Sequence, residues 1–445
     1  MSVWEALTGQ DAVVDTLATA AAAAALIGGP DGAIAAARAG MTHSWLFTGP
    51  SGAGRVDAAR AFAAALSCER ASAARAAEAA NAPDAAEAAG TAGEPGVPDE
   101  PVGPSGCGEC VGCHTVLTDT AADLRTVRAE GLSLGVQDVR ALVRDAASAP
   151  TSGRYRILLI EEADRLTDSA ANALLKALEE PAERSVFLLC APSVDDVIPT
   201  IRSRCRVVAL RLPSVDDIVN ALLRDGVDGR TAHVAARASQ GHLGRARLLA
   251  VDERARAGRA QVLAVPGRLG RAADCLSAAA DLVAAANADA DTANTERDEA
   301  ETEALRTALG VGATSSGATG RSKRATKAAP KARTMMIRGA AGALKDLEKS
   351  QKSRGRRTVL DSLDRTLLDL AGLYRDVLAH QLGATVDPVN PDAAAEISRL
   401  AATATPERTL RRLEAVLATR DSLAANPGLV AQLAVESLTL ALRDA

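Results

Sequence analysis

The chain has 445 residues and a formal net charge of −5, enough length for about three domains and no global attraction for phosphate backbones. Hydrophobic residues make up 47% of it but aromatic residues only 2%, a composition of Ala, Leu and Val that favours helix and leaves few platforms for stacking bases. No apolar run reaches the roughly 18–20 residues a bilayer span needs, and Trp4-Glu5 does not fit the start of a signal peptide, so the expectation is a cytoplasmic protein with no membrane partner.

The first elements read as a helix over Ala12 to Leu26, a Gly/Pro break, a strand Trp45-Leu46-Phe47-Thr48, a glycine loop and a helix from Val56 to Leu66. Gly49-Pro50-Ser51-Gly52-Ala53-Gly54-Arg55-Val56 between that strand and helix fits the first part of the P-loop pattern, in which backbone N–H groups surround phosphates. A working loop follows its last glycine with a Lys that neutralises the β/γ oxygens and a Ser or Thr that holds Mg²⁺. Here those positions are Arg55 and Val56, and a valine cannot ligate magnesium. The retained glycines leave room for residual nucleotide binding.

Residues 71–106 are almost wholly Ala, Glu, Gly, Pro, Ser and Asp, which predicts a disordered insertion. Next to it, Cys107-x2-Cys110-x2-Cys113 places three thiols within seven residues, and Cys68 ends the helix after the phosphate loop. Four thiolates can close a tetrahedral zinc site with no open position, so a metal here would be structural; an iron–sulfur cluster or free thiols are the alternatives. Cys190, Cys205 and Cys275 have no partners at metal spacing and read as packed thiols.

Further along, a helix is expected over 135–148, a buried strand over Tyr155 to Ile160, a helix over Asp168 to Leu178, and strands over Val186 to Ala191 and Arg206 to Leu210. Strands alternating with helices imply a parallel sheet covered on both faces, spanning 1–212 with a zinc module at 68–113. After the strand ending at Ile160 stand Glu161 and Glu162, where a working site carries Asp for the metal and Glu for the attacking water. A small helical lid is expected over 213–265, a low-complexity charged linker over 284–334, and an all-helical domain over 335–445 with helices Thr358 to Gln381 and Pro406 to Ala424. The basic end of that linker, Arg321 to Arg333, holds six Lys or Arg and no acid, and reads as solvated chain or as an electrostatic tether.

Four features converge: Leu46-Phe47-Thr48-Gly49-Pro50, the four cysteines, the stretch Ala173 to Pro181 (ALLKALEEP), and Ser203-Arg204-Cys205. Together they resemble the bacterial DNA polymerase III clamp-loader subunits, most closely the delta-prime branch, over roughly residues 1–250; residues 335–445 match only in being helical. The resemblance implies an α/β P-loop AAA+ domain with a parallel sheet, a small helical lid, and an all-α C-terminal collar domain for oligomerisation. It implies a hetero-pentameric ring with gamma/tau and delta subunits, which places a sliding clamp on primer–template DNA during replication in the nucleoid-associated replisome. It also implies that Arg204 reaches in trans into a neighbour's ATP site. A guanidinium there offsets charge developing on the transferred phosphoryl group.

Two departures from the hydrolysing members point the same way. Ala191-Pro192 stands where they carry Thr or Asn after a strand, and Gly244 stands where their lid has arginine after Gly-x-x, with Arg245 one residue late and swung through about 100°. The expected role is therefore a subunit of the DNA-directed DNA polymerase (nucleotidyltransferase) holoenzyme without ATPase activity of its own. The alternatives are a gamma/tau-type ATP-hydrolysing motor subunit, with Arg55 standing in for Lys, and a zinc-containing DNA-binding regulator.

Overall fold

The computed structural model describes residues 2–25, 40–70, 106–129, 131, 133–308, 329–426 and 428–444. It divides into two compact units, Met1–Ala129 with Ser133–Val251, and Glu130–Leu132 with Asp252–Ala445.

The first unit is built on a five-stranded parallel sheet of β1 (Ser44–Thr48), β2 (Leu124–Val127), β3 (Arg156–Ile160), β4 (Ser185–Ala191) and β5 (Arg206–Ala209), in the order β2-β3-β4-β1-β5. Alternate side chains of each central strand enter opposite cores. Trp45, Phe47, Ile157, Leu159, Val186 and Leu188 pack with α1 (Asp11–Ala24) and α2 (Arg55–Leu66). Leu46, Leu158, Ile160, Phe187 and Leu189 pack on the other face with the helices at Val136–Ala146 and Asp168–Glu179. Coverage on both faces explains why these strands read as unbroken apolar runs.

In chain order the helices after α2 are α3 (Val111–Leu117), α4 (Val136–Ala146), α5 (Asp168–Glu179), the short α6 (Pro199–Arg202), and α7 (Val215–Arg224), α8 (Gly229–Ala238) and α9 (Leu243–Val251). The strand β2 lies at the sheet edge and was not foreseen, because Arg125 and Thr126 interrupt its apolar pattern and only Leu124 is buried.

The helical stretch expected as one lid over 213–265 divides. Helices α7 to α9 belong to the first unit, while α10 (Glu253–Leu263) belongs to the second. The second unit continues with α11 (Ala272–Ala308), α12 (Ala329–Gln381), α13 (Ala394–Thr403), α14 (Pro406–Ala425) and α15 (Ala431–Asp444), and no strand occurs among its described residues.

The expected charged linker over 284–334 is corrected in part: residues 284–308 are the last two thirds of α11, and 329–334 begin α12. Ala278, Leu282, Ala286 and Ala290 recur at helical spacing and are buried, and Arg354 of α12 meets Asp298 and Glu301. Small Ala side chains allow close helix packing, so an acidic, Ala-rich stretch gains order from its partner helix. The rest of that expectation, 309–328, and the insertion 71–105 lie outside the described residues, as do the side chains of the basic segment up to Arg333. Among the described residues no helix is long and apolar enough to cross a membrane.

Candidate nucleotide site and metal centre

The phosphate loop leaves β1 at Thr48 and enters α2 at Arg55. Gly52 and Gly54 hold φ of 93° and 80°, a region L side chains rarely adopt, so glycine is required at both. The Gly49 N–H donates to the Pro192 carbonyl at 3.2 Å, tying the loop to the segment after β4. Above the loop is a cleft of about 440 Å³, lined on one side by Gly52 to Asp57 and on the other by His242, Leu243, Gly244 and Arg247. His242 sits so close that a Cβ on Gly52 would lie 2.9 Å from its Cα.

The side chains that the sequence reading assigns to a nucleotide site make the following contacts. Arg55 folds back, and its guanidinium donates to the Gly49 carbonyl. Burial lowers its pKa, although Cys190, Asp164, Glu162 and Asp196 pull the other way. Val56, where the sequence reading looks for a magnesium-holding hydroxyl, contributes only methyl groups. Glu161, 6% exposed, accepts from Arg128 Nε at 2.6 Å and from Arg60 Nη2 at 3.0 Å, so two guanidinium groups hold the carboxylate that would ligate a metal. Glu162 lies 3.7 Å from Arg165. Burial also raises the pKa of the neighbouring Asp164 carboxyl. On the lid, the arginine lining the cleft is Arg247, and it pairs with Asp225 at 2.8 Å. The Arg245 N–H instead donates to His242 Nδ1 at 3.3 Å.

Sequence reasoning missed three residues of this site. Arg60 and Arg128 are remote in sequence from Glu161, and nothing in their local pattern announces the pairing. Gln10, 4% exposed, donates through Nε2 to the Arg211 carbonyl at 2.5 Å and accepts the Arg211 N–H at 3.4 Å, clamping the N-terminal segment to the chain after β5. A buried glutamine ahead of an apolar helix is a weak signal that could have marked it.

The four cysteines converge as the spacing predicts: the sulfurs of Cys68, Cys107, Cys110 and Cys113 all lie within 4.8 Å of one another. Tetrahedral zinc with Zn–S near 2.3 Å sets its sulfurs about 3.8 Å apart, so the donor set fits that ion with a small contraction. Cys68 follows α2, and Cys113 lies in the first turn of α3, which Cys110 caps by accepting the Cys113 N–H. Gly112 permits the approach, because a Cβ there would stand 2.1 Å from the Ser67 carbonyl oxygen. Burial pushes the Cys113 thiol well up. Burial acts on Cys110 in the same direction, but the N–H groups of Cys113 and Glu69 together with the Cys113 and Cys107 thiols outweigh it and its pKa falls. Cys190 and Cys275 are fully buried, and burial drives Cys190 upward, as befits packed thiols; Cys205 is partly buried with its pKa pushed up to about 12 by burial.

Arg204 lies between α6 and β5. The buried Ile201 and the partly buried Cys205 anchor that loop to the core, leaving Arg204 at the surface. Its Nη1 donates to the Thr200 carbonyl at 2.7 Å and to Ser203 Oγ at 3.2 Å, and its Nη2 meets the Glu179 carboxylate.

A parallel sheet in the order β2-β3-β4-β1-β5 with a phosphate loop after β1, followed by a small helical bundle and an all-α unit, defines an α/β P-loop fold of the AAA+ class. Residues 97–214 match the family DNA polymerase III, delta subunit, and residues 358–444 match DNA polymerase III, delta subunit, C terminal, so both parts of the chain are similar to DNA polymerase III clamp-loader subunits. It is 30% identical over 173 residues to the DNA polymerase III subunit gamma/tau of Mycobacterium tuberculosis, covering 39% of this chain and 25% of that protein. It is 32% identical over 178 residues to the subunit delta' of Pseudomonas aeruginosa, covering 40% of this chain and 45% of that one. The chain thus spans about a quarter of the length of the mycobacterial relatives it matches. A DNA polymerase III gamma subunit-related protein from Thermotoga maritima aligns with a TM-score of 0.33 at 15% identity, over 74% of this chain and 88% of that one.

Proposed function

We propose that this chain is a delta-prime-like stator of a clamp loader, which hydrolyses no ATP itself and supplies Arg204 to the ATP site of a neighbouring subunit. The observation that carries this reading is the capture of Glu161 by Arg60 and Arg128 beside a phosphate loop whose hydroxyl position is Val56. A metal-binding carboxylate must be free to face Mg²⁺, and one already neutralised by two guanidinium groups gains little by leaving them. Its partners would be gamma/tau and delta subunits in a five-membered ring, a sliding clamp and primer–template DNA, in the bacterial cytoplasm. Cys68, Cys107, Cys110 and Cys113 would hold structural zinc, fastening the end of α2 to α3.

The test has two parts. The purified chain should show no magnesium-dependent ATP turnover. In the complex rebuilt with its ATPase subunits, Arg204→Ala should leave assembly intact and slow hydrolysis by about 10³-fold or more at the site it completes. Unchanged turnover would remove Arg204 from the mechanism. The second reading, a gamma/tau-type motor, is favoured by the identity to gamma/tau subunits, and robust turnover by the chain alone would establish it.

A further inference from the structure

Three arginines alternate along one short segment, and each has a different environment. Arg202 pairs with the exposed Asp195 at 2.9 Å. Arg206 lies over the Trp45 ring, 4.9 Å from its centroid, and donates to the Gly40 carbonyl, which fixes it to the sheet. Arg204 instead rests on the Glu179 carboxylate at the C-terminal end of α5 and on the Thr200 carbonyl within α6.

That resting place is built to attract a cation and to release it. Leu174 and Leu178 are buried, so α5 is fixed and Glu179 is presented from a rigid helix end, where the helix dipole also favours positive charge. Both partners remain accessible, with side-chain exposures of 34% for Arg204 and 47% for Glu179. Water therefore screens the pair, and such contacts shift an equilibrium by only about two- to five-fold. A terminal phosphate carries more charge than a carboxylate and accepts two parallel N–H donors from one guanidinium, so it outcompetes Glu179 once it comes within reach.

We propose that Glu179 is a positioning residue that parks the Arg204 guanidinium on its own chain until the terminal phosphate of a nucleotide on the adjacent subunit displaces it. This rests on the action of Arg204 in trans proposed above. Glu179 restrains the arginine in the empty ring and sets the threshold at which the neighbour's site becomes complete.

The experiment compares the complete reconstituted complex carrying wild-type chain, Glu179→Gln, Arg204→Ala or both substitutions, reading kcat and KM for ATP and the melting temperature of each isolated chain. Glu179→Gln should raise kcat/KM about two- to five-fold without changing the melting temperature, and the gain should vanish in the Arg204→Ala background. If Arg204→Ala slows hydrolysis while Glu179→Gln leaves it unchanged or lowers it, parking is overturned and the trans role stands. A gain from Glu179→Gln that persists without Arg204 also overturns parking, because the carboxylate then acts through another group. If Arg204→Ala itself changes nothing, the trans role fails, and parking fails with it.

Discussion

Glu161→Gln separates a structural carboxylate from a catalytic one, because the two predict opposite signs. Where an acid is held ready for a metal, replacing it with a neutral amide relieves unfavourable charge and the fold is unchanged or stabilised. Here the carboxylate is 6% exposed and bonded to two guanidinium groups. The Arg128 contact is discounted, since that side chain is 56% exposed and its screened pair contributes about 0.2–1 kcal/mol. The Arg60 bond, with that side chain only 21% exposed, is worth about 1.5–3 kcal/mol as a charge-assisted hydrogen bond. The sum is about 2–4 kcal/mol, which lowers the melting temperature of a unit of this size by roughly 5–15 °C. Thermal unfolding of wild type and variant, each with and without millimolar Mg²⁺, measures it. An unchanged or higher melting temperature for the variant, or a clear Mg²⁺-dependent rise in wild type, would refute the reasoning.

Three further outcomes follow from other sites. Asp123 pairs with Arg156 at 3.0 Å and accepts the N–H groups of Thr151, Ser152 and Gly153 at 2.6–2.7 Å and the Ser152 hydroxyl at 3.1 Å; against burial, these N–H and hydroxyl donors hold its carboxyl far below the usual range. A depressed folded-state pKa contributes stability that is present above the unfolded value of about 3.9 and is lost as pH falls towards the folded one, so Asp123→Asn should cost about 2–4 kcal/mol at pH 7 and far less near pH 2 in denaturant titrations. Gly52→Ala should destabilise by about 1–3 kcal/mol, because the residue is held at φ 93° and the new methyl would collide with His242; calorimetry of the full chain checks it. Metal analysis should find about one zinc per chain, and chelation or Cys113→Ser should lower the melting temperature by about 10 °C or more, whereas a metal-free protein of full stability would exclude the four-thiolate site.

The local patterns were the legible ones. The phosphate loop was readable because its glycines, its strand and its helix are contiguous, and the metal cluster because three of its four thiols fall within one short run. Long-range pairings were not: that Glu161 serves Arg60 and Arg128 depends on where α2 and β2 come to lie, which no local period encodes. The acidic half of α11 misled for a related reason. Composition argued for solvated chain, but its Ala286 and Ala290 continue the buried stripe of Leu282 and are ordered by the packing of α12. Edge strand β2 was lost because an edge needs fewer apolar residues than a centre.

The strand pair β1 and β5 has a mechanical corollary. The two run in register from Trp45 opposite Arg206, the phosphate loop begins just past the far end of β1, and Arg204 stands two residues before the first pair. With Arg206 over the Trp45 ring, the chain two residues after Arg204 is tied to the edge of the sheet. The reach of Arg204 is thereby coupled to that edge strand as well as to its own rotamer.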